Sequence, residues 1–169
     1  HFAETGEDVF IDFRERAPAA ATPAMWQLDA DGNVIGNQKV EGGKSVGIPG
    51  EVASLEYAFE HYATLDRQAL MQPAIDLATN GYLVSLNMNT NTLDNYQYLI
   101  KYPEIGSYYL TEDKLPYEIG STLTNTDLAK TLQLIADGGR DAFYTGPVAQ
   151  AFVDTVNKYG GVLTMQNMA

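Results

Sequence analysis

The chain has 169 residues, 45% of them apolar, with a formal net charge of −12 and a sequence pI near 4.3. This length and composition suit one globular domain, whereas an acidic chain with only ten Lys and Arg residues argues against nucleic-acid binding. The lack of cysteine excludes disulfides, thiolate metal sites and cysteine nucleophiles, and no apolar run approaches the roughly 18 residues of a membrane-spanning helix.

Residues 1–17 are predicted to form a β-hairpin. The sequence ETGED supplies a glycine-centred turn, and the following run VFIDFRE has the composition of a strand. Because side chains alternate between the two faces of a strand, Arg14 and Arg16 should leave on one side and Glu15 on the other. Pro18 has no N–H for a sheet ladder and should end the strand, which places both arginines at a rim.

Residues 18–48 are predicted to hold one short helix followed by a loop. Thr22 is a favourable N-cap, and Pro23 suits the first helical position, where its missing N–H costs nothing. The sequence DADGN indicates a turn at residues 29–33, and the glycines of residues 34–47 follow no sustained period.

Residues 49–102 are predicted to form three helices, because apolar residues recur there at three- and four-residue steps. By their cap and stop signals, the first follows Pro49, the second starts at Asp66 or Pro73 and stops at Asn80–Gly81, and the third runs from Ser85 to Tyr102. The residues expected to face inward are Val52, Leu55, Phe59, Tyr62, Leu86, Leu93, Tyr96 and Ile100.

Residues 103–169 are predicted to begin with a loop that contains short extended pieces, up to residue 124, and then to be helical. Thr164 is a favourable N-cap, but only five residues follow it, too few to hold a helix alone. The other predicted features are a helix in NTDLAKTLQLIADGG with Leu128, Leu132 and Ile135 inward, a stop at Gly138–Gly139, a helical turn in RDAFYTGP, and a helix from Pro147 to Gly160–Gly161.

Three patterns resemble functional motifs without meeting their requirements. The sequence GGKS ends like a phosphate-binding loop, but that pattern needs glycine where the chain has Gln38. Residues 29–40 begin like a calcium loop, but a glutamate should stand where Val40 does. His1 and His61 have no evident partners for a metal site or a serine-based triad. We therefore expect neither a metal nor a cofactor.

Residue chemistry alone leaves two interpretations of Arg14, Glu15 and Arg16. An ordinary strand-end ion pair, worth about 0–1 kcal/mol when exposed, explains them without any function. Alternatively, a guanidinium group here is a planar fork for a carboxylate ligand, which arginine binds bidentately. Composition alone favours the ion pair.

The sequence DFRERAPAAAT at residues 12–22 resembles the D-x-R-E-x-A-P-x-x-A-T signature of the γ-glutamyltranspeptidase family, whose members are N-terminal nucleophile hydrolases. The resemblance implies an α+β fold, with the chain as a partial large-subunit segment of one four-layer αββα domain, mainly helical with an edge β-hairpin. Both ends are expected to be cut from a longer polypeptide. Further blocks that resemble the family's large subunit, in the same order, are residues 45–65, 72–85, 101–104, 124–146 and 160–169.

The resemblance also implies an activity: cleavage of the γ-glutamyl amide of glutathione and related compounds, with transfer of the acyl group to water or to an amino acid or peptide. Family precursors cut themselves, and the N-terminal threonine of the small subunit is the nucleophile, with its free α-amine as base. No threonine of this chain matches that position. The chain is therefore expected to contain no catalytic residue, to need the small subunit as partner, and to be inactive alone. A periplasmic or secreted location is implied as well.

Within the resemblance, Arg14 aligns with the arginine that binds the α-carboxylate of the γ-glutamyl group, and Glu15 is expected to orient it or to lie near the substrate amine. Arg16 stands where family members often carry another residue, so its role is open. Ser54 and Ala63 replace common family glycines, without expected loss of function. A poly-γ-glutamate capsule depolymerase, a cephalosporin acylase and a non-catalytic helical binding module stay open as alternatives, because the pocket that distinguishes the enzymes lies outside this chain.

Overall fold

Short helices make up most of the regular structure in the computed structural model, which describes all 169 residues. The chain divides into two compact units, one of His1–Leu65 with Asp137–Ala169 and one of Asp66–Ala136. The predicted mainly helical character is confirmed. None of the helices combines the length and the apolar character that crossing a membrane requires. That the 169 residues are part of one domain stays a prediction.

Eight α-helices and two short strands follow one another along the chain. The helices are α1 (Glu51–Tyr62), α2 (Arg67–Asn80), α3 (Leu86–Asp94), α4 (Tyr96–Lys101), α5 (Pro103–Tyr109), α6 (Thr126–Tyr144), α7 (Pro147–Lys158) and α8 (Met165–Met168). The 3₁₀ turns Pro23–Met25 and Gly43–Ser45 precede them. The strands β1 (Tyr82–Leu83) and β2 (Thr122–Leu123) pair antiparallel, with Tyr82 opposite Leu123.

The core of the first unit is built on one face of α7. Its buried residues Ala149, Val153 and Val156 recur at four- and three-residue steps, as expected for an amphipathic helix. The cluster is completed by Tyr144, Leu163 and Met168.

The last turn, α8, forms despite the expectation that it is too short. The Thr164 hydroxyl accepts a hydrogen bond from the Asn167 N–H at 3.2 Å, and the Asn167 side chain accepts one from the Thr164 N–H at 3.1 Å. This reciprocal cap satisfies N–H groups that a short helix otherwise leaves open. Met168, only 2% exposed, then anchors the turn in the core.

In the second unit, local cap chemistry sets the helix ends as predicted. The Asp66 carboxylate accepts a hydrogen bond from the Gln68 N–H at 2.9 Å, which selects the earlier of the two predicted starts of α2. Gly81 ends that helix with φ 96°, a conformation that glycine adopts without strain. The Ser85 hydroxyl caps α3 by accepting a hydrogen bond from the Met88 N–H at 3.1 Å.

Two predictions for this unit are wrong. The third predicted helix breaks at Asn95, with φ −102° and ψ 11°, into α3 and α4. The predicted loop after residue 102 begins instead with α5, which has Pro103 in its first turn. This helix packs closely against α4, since a Cβ on Gly106 would collide with the Leu99 carbonyl oxygen.

The predicted inward faces are also partly wrong. Small or polar neighbours are buried instead, including Thr92 in α3 and Ala129 and Ala136 in α6. The reason is that a period defines a stripe but does not reveal which side of the helix meets a neighbour. The exposed residues that were predicted to face inward are Leu55, Leu86, Leu93, Ile100 and Leu128.

The predicted stop at Gly138–Gly139 is confirmed as an interruption of α6. Gly139 has φ 62° and ψ −151°, which is not helical, and a helical turn then continues to Tyr144. The predicted turn in RDAFYTGP is therefore present.

The strand predicted within residues 1–17 does not form, although its turn does. The Phe2 N–H donates a hydrogen bond to the Glu7 carbonyl at 2.8 Å and closes the glycine-centred turn. Beyond it, the only strand-like pairing of residues 9–16 is the bridge between Arg16 and Ile48. A strand needs a continuous partner, and Phe10, 90% exposed, has none. The edge hairpin thus reduces to its turn, and the α+β class rests on β1 and β2.

Candidate functional site

A two-bond bridge anchors the segment that carries Arg14. The Arg16 N–H donates to the Ile48 carbonyl at 3.0 Å, and the Ile48 N–H donates to the Arg16 carbonyl at 2.8 Å. Both backbone groups of Arg16 are therefore fixed, although no sheet continues on either side. Sequence analysis missed Ile48 as a partner, because the pairing joins two segments that are separate in sequence.

Two glycines allow the same segment to lie directly against the start of α1. A Cβ on Gly47 would approach the Glu15 Cγ to 2.7 Å, and a Cβ on Gly50 would collide with the Phe13 carbonyl oxygen. Neither glycine has a positive φ, so the requirement is space and not backbone conformation. The residues around Arg14 therefore pack closely against the sequence VGIPG at residues 46–50.

Arg14 pairs with its neighbour and is otherwise accessible. Its Nη2 donates to Glu15 Oε1 at 2.7 Å, and the two side chains are 82% and 53% exposed. The pKa of the Glu15 carboxyl lies below its usual value, first because of a hydrogen bond from its own backbone N–H and then because of Arg14. Glu15 is ionised at neutral pH and hydrogen-bonds the guanidinium, and its role in orienting that group stays a prediction.

Arg14 borders a cleft of about 330 Å³, and Arg16 lines the same cleft. Glu15 lines a neighbouring cleft of about 730 Å³ to which Arg16 also contributes. Both arginines therefore line one cleft, although the strand that was predicted to place their side chains on one side is absent. The role of Arg14 in binding a substrate stays a prediction.

Tyr144 lines the 330 Å³ cleft and is held by two hydrogen bonds. Its hydroxyl donates to the Pro49 carbonyl at 2.7 Å and accepts from the Ala53 N–H at 3.3 Å, and the side chain is 3% exposed. The Arg140 guanidinium lies 5.0 Å from the centre of the Tyr144 ring. Sequence analysis did not single out Tyr144; its only signal was a tyrosine within a predicted helical turn.

The chemistry available at this site is the binding of an anion. No group of three or more His, Asp or Glu side chains is placed to hold a metal ion. The two histidines are engaged locally, His61 with the Tyr57 carbonyl at 2.8 Å and His1 with Asp8 at 2.9 Å. Guanidinium groups, by contrast, present fixed N–H donors that match a carboxylate.

Comparison with known proteins gives a consistent result along the chain. The family model described as "Gamma-glutamyltranspeptidase" matches residues 1–169. The glutathione hydrolase proenzyme of Pseudomonas sp. (strain A14) is 39% identical over 167 residues, which cover 96% of this chain and 28% of that protein. The glutathione hydrolase proenzyme of Bacillus subtilis (strain 168) is 36% identical, over 98% of this chain and 28% of that protein.

A solved structure supports the same relationship. The crystal structure of Helicobacter pylori gamma-glutamyltranspeptidase is similar with a TM-score of 0.87 and 36% sequence identity, over 93% of this chain and 45% of that chain. The chain thus spans about 28% of the length of the curated relatives described above. It shares the mainly helical segment and small antiparallel sheet of an N-terminal nucleophile hydrolase.

Proposed function

The chain belongs to the gamma-glutamyltranspeptidase family, and from this membership we propose that it works within a proenzyme that cleaves γ-glutamyl amides such as glutathione. A threonine hydroxyl outside these residues attacks the γ-carbonyl, the amine leaves with a proton, and the ester passes its acyl group to water or to an amino acid or peptide. In this division of labour the chain binds the glutamyl group, and a small subunit supplies the nucleophile. The proenzyme names of relatives support it.

The observation that carries the proposal is the placement of Arg14 at the edge of a cleft with most of its donors available. A guanidinium has five N–H donors, and the pair with Glu15 uses one of the two on Nη2, at 2.7 Å. The remaining donors can bind a carboxylate bidentately, which is the strong geometry for this pair of groups. We propose that Arg14 binds the α-carboxylate of the γ-glutamyl group.

Glu15 extends this recognition to a zwitterion. The α-carbon of a γ-glutamyl group carries an ammonium next to the carboxylate, so a complementary site needs one cation and one anion side by side. Arg14 and Glu15 form such a pair, and Glu15, whose pKa lies below its usual value, is ionised at neutral pH. Screening at ordinary salt, over about 10 Å, allows this local pair to act independently of the net charge of the chain.

A substitution series at Arg14 in the full-length protein tests the assignment, with γ-glutamyl-4-nitroanilide as substrate. Arg14→Ala removes the bidentate partner and is expected to raise KM about 100-fold, on the basis of about 2–3 kcal/mol for a charge-assisted contact. Arg14→Lys keeps the charge but not the planar guanidinium, so its KM should lie between those of the wild type and Arg14→Ala. Lys130→Ala, which removes an exposed cation of the other unit, is the control. An unchanged KM and kcat in Arg14→Ala would reject the role.

The missing nucleophile is tested separately. The isolated 169-residue chain is expected to release no nitroaniline, and turnover by the pure chain would contradict the proposed division of labour. Parallel assays of the full-length protein with γ-glutamyl, poly-γ-glutamyl and cephalosporin substrates distinguish the enzyme alternatives, and inactivity on all three would favour a binding module.

The proposal includes a periplasmic or secreted location, which rests on family membership. Immunodetection in separated cell fractions tests it, and recovery only from the cytoplasmic fraction would contradict it.

A further inference from the structure

Arg16 has a fixed backbone and an unengaged side chain. Its N–H and carbonyl groups are both bonded to Ile48, at 3.0 and 2.8 Å. Its guanidinium is exposed and makes no hydrogen bond or ion pair, unlike that of Arg14, which is held by Glu15. Because its backbone is fixed and no carboxylate of the chain pairs with it, the Arg16 guanidinium is available to bind an anionic ligand.

The surroundings of Arg16 are positive in a chain that is strongly acidic overall. Arg16 lines both clefts described above, so the two adjoin at this residue. Their lining includes five of the chain's ten Lys and Arg residues but only two of its 22 Asp and Glu residues, Asp12 and Glu15. The five cations are Arg14, Arg16, Lys39, Lys44 and Arg140, of which Arg14 and Arg140 are paired with Glu15 and Asp141. A ligand that follows these clefts away from Arg14 is therefore attracted if it carries further negative charge.

The spacing of the two arginines matches that of carboxylates along a γ-glutamyl linkage. Residues two apart in sequence lie at most roughly 7 Å apart, and both arginines line the same cleft. From ordinary bond lengths, a γ-glutamyl amide separates its own α-carbon from that of the leaving amino acid by roughly 6 Å. With the first carboxylate on Arg14, a second one on the leaving amino acid is within reach of Arg16.

We propose that Arg16 is a specificity-determining residue that binds a carboxylate on the leaving group. Substrates whose leaving group is an amino acid are then preferred over substrates whose leaving group is neutral. This inference rests on the proposed function of Arg14. Donors with several carboxylates, such as γ-linked glutamate oligomers, belong to the same class, because Lys39 and Lys44 extend the positive lining beyond Arg16.

The test compares γ-glutamylglycine with γ-glutamylglycinamide, which differ only in a carboxylate and a carboxamide. Release of glutamate by the full-length protein gives kcat/KM for each. The wild type is expected to prefer the glycine compound about tenfold, as for a partly exposed charge-assisted contact. In Arg16→Gln the ratio of the two kcat/KM values should fall to near one, through a change in KM. Arg16→Lys should keep part of the preference. In the wild type, 0.5 M salt should reduce the ratio because the contact is screened.

The control and the contrary outcomes separate this inference from the proposed function. Lys130→Gln removes an exposed cation elsewhere and should leave the ratio at its wild-type value. If Arg16→Gln keeps the wild-type ratio, or lowers kcat/KM equally for both substrates, the second carboxylate does not bind Arg16 and the inference is wrong. If Arg14→Ala nevertheless raises KM, the proposed function stands without it. If the wild type hydrolyses γ-glutamyl-4-nitroanilide but neither of these compounds, the inference is wrong and the proposed function stands; if it hydrolyses none of the three, both are wrong.

Discussion

Contacts that are local in sequence hold the starts of α2 and α3, whereas contacts that are distant in sequence hold the segment that carries Arg14. Asp66 and Ser85 each bond an N–H two or three residues away, so these helix starts depend on neighbours in sequence. The segment around Arg14 instead depends on Gly47, Ile48 and Gly50, which lie far along the chain. The position of Arg14 is therefore expected to be sensitive to residues that lie far from it in sequence, whereas the caps are expected to affect only stability.

Gly50→Ala should break the comparison most strongly. The added methyl collides with the Phe13 carbonyl and should displace Arg14, lowering the free energy of unfolding by about 2–3 kcal/mol and raising KM for γ-glutamyl-4-nitroanilide. Urea denaturation and steady-state kinetics of the full-length protein measure the two effects. The control is Gly160→Ala, where φ 83° makes alanine strained but the space is open. It should lose stability with no change in KM, and an equal KM increase in both variants would contradict the steric explanation.

Tyr144→Phe should have the next largest effect. The Pro49 carbonyl and the Ala53 N–H lose the hydroxyl that bonds both, so the free energy of unfolding should fall by about 2 kcal/mol. Because Pro49 lies beside Gly50, KM should also rise, which would place Tyr144 among the residues that position Arg14. Phe143→Leu, a change in the adjacent core residue, controls for altered packing. A loss of stability without any change in KM would limit Tyr144 to the core.

Ser85→Ala should sharpen the contrast from the other side. Removing the hydroxyl that caps α3 should lower the free energy of unfolding by about 1 kcal/mol, with KM unchanged because the cap acts within its own turn. Ser85→Asp, which keeps a capping oxygen, should retain most of the stability. A raised KM in Ser85→Ala would show that local and distant order are not separable in this protein.

The smallest expected effect is a dependence on pH at Asp127. The pKa of its carboxyl is lowered first by Lys130 and then by the Tyr108 hydroxyl, at 2.9 and 2.7 Å. Its contribution to stability is therefore complete above the unfolded pKa of about 3.8 and is lost as pH falls through the lower folded value. Urea unfolding of the wild type and of Asp127→Asn should converge on acidification, and a pH-independent difference would contradict the assignment.

Sequence reasoning succeeded where the cause lies within a few residues. Asp66, Ser85 and the Gly138–Gly139 interruption were predictable because caps and glycine conformations are local, whereas the predicted cap at Thr22 is wrong. The short helix after Thr22 is a single 3₁₀ turn, without a hydrogen bond from the Thr22 side chain.

It failed where the cause is a distant neighbour. The helix α5 depends on how Gly106 meets Leu99, and the path of residues 13–16 depends on Gly47 and Gly50. The hydrophobic periodicity of a sequence does not reveal such contacts between distant residues. At the candidate site, Arg14 and Glu15 were identified through the D-x-R-E signature, and their position beside a cleft is now described, but their roles await the substitutions above.

The bridge between Arg16 and Ile48 has a consequence for how this protein can vary in evolution. Only two residues separate Ile48 from the first residue of α1, so the chain there has no slack. An inserted or deleted residue there would move the bridge relative to the start of α1 and should displace the arginines from the cleft that both line. Natural variation in this stretch should therefore consist of substitutions at constant length, with insertions confined to the preceding loop at residues 34–42.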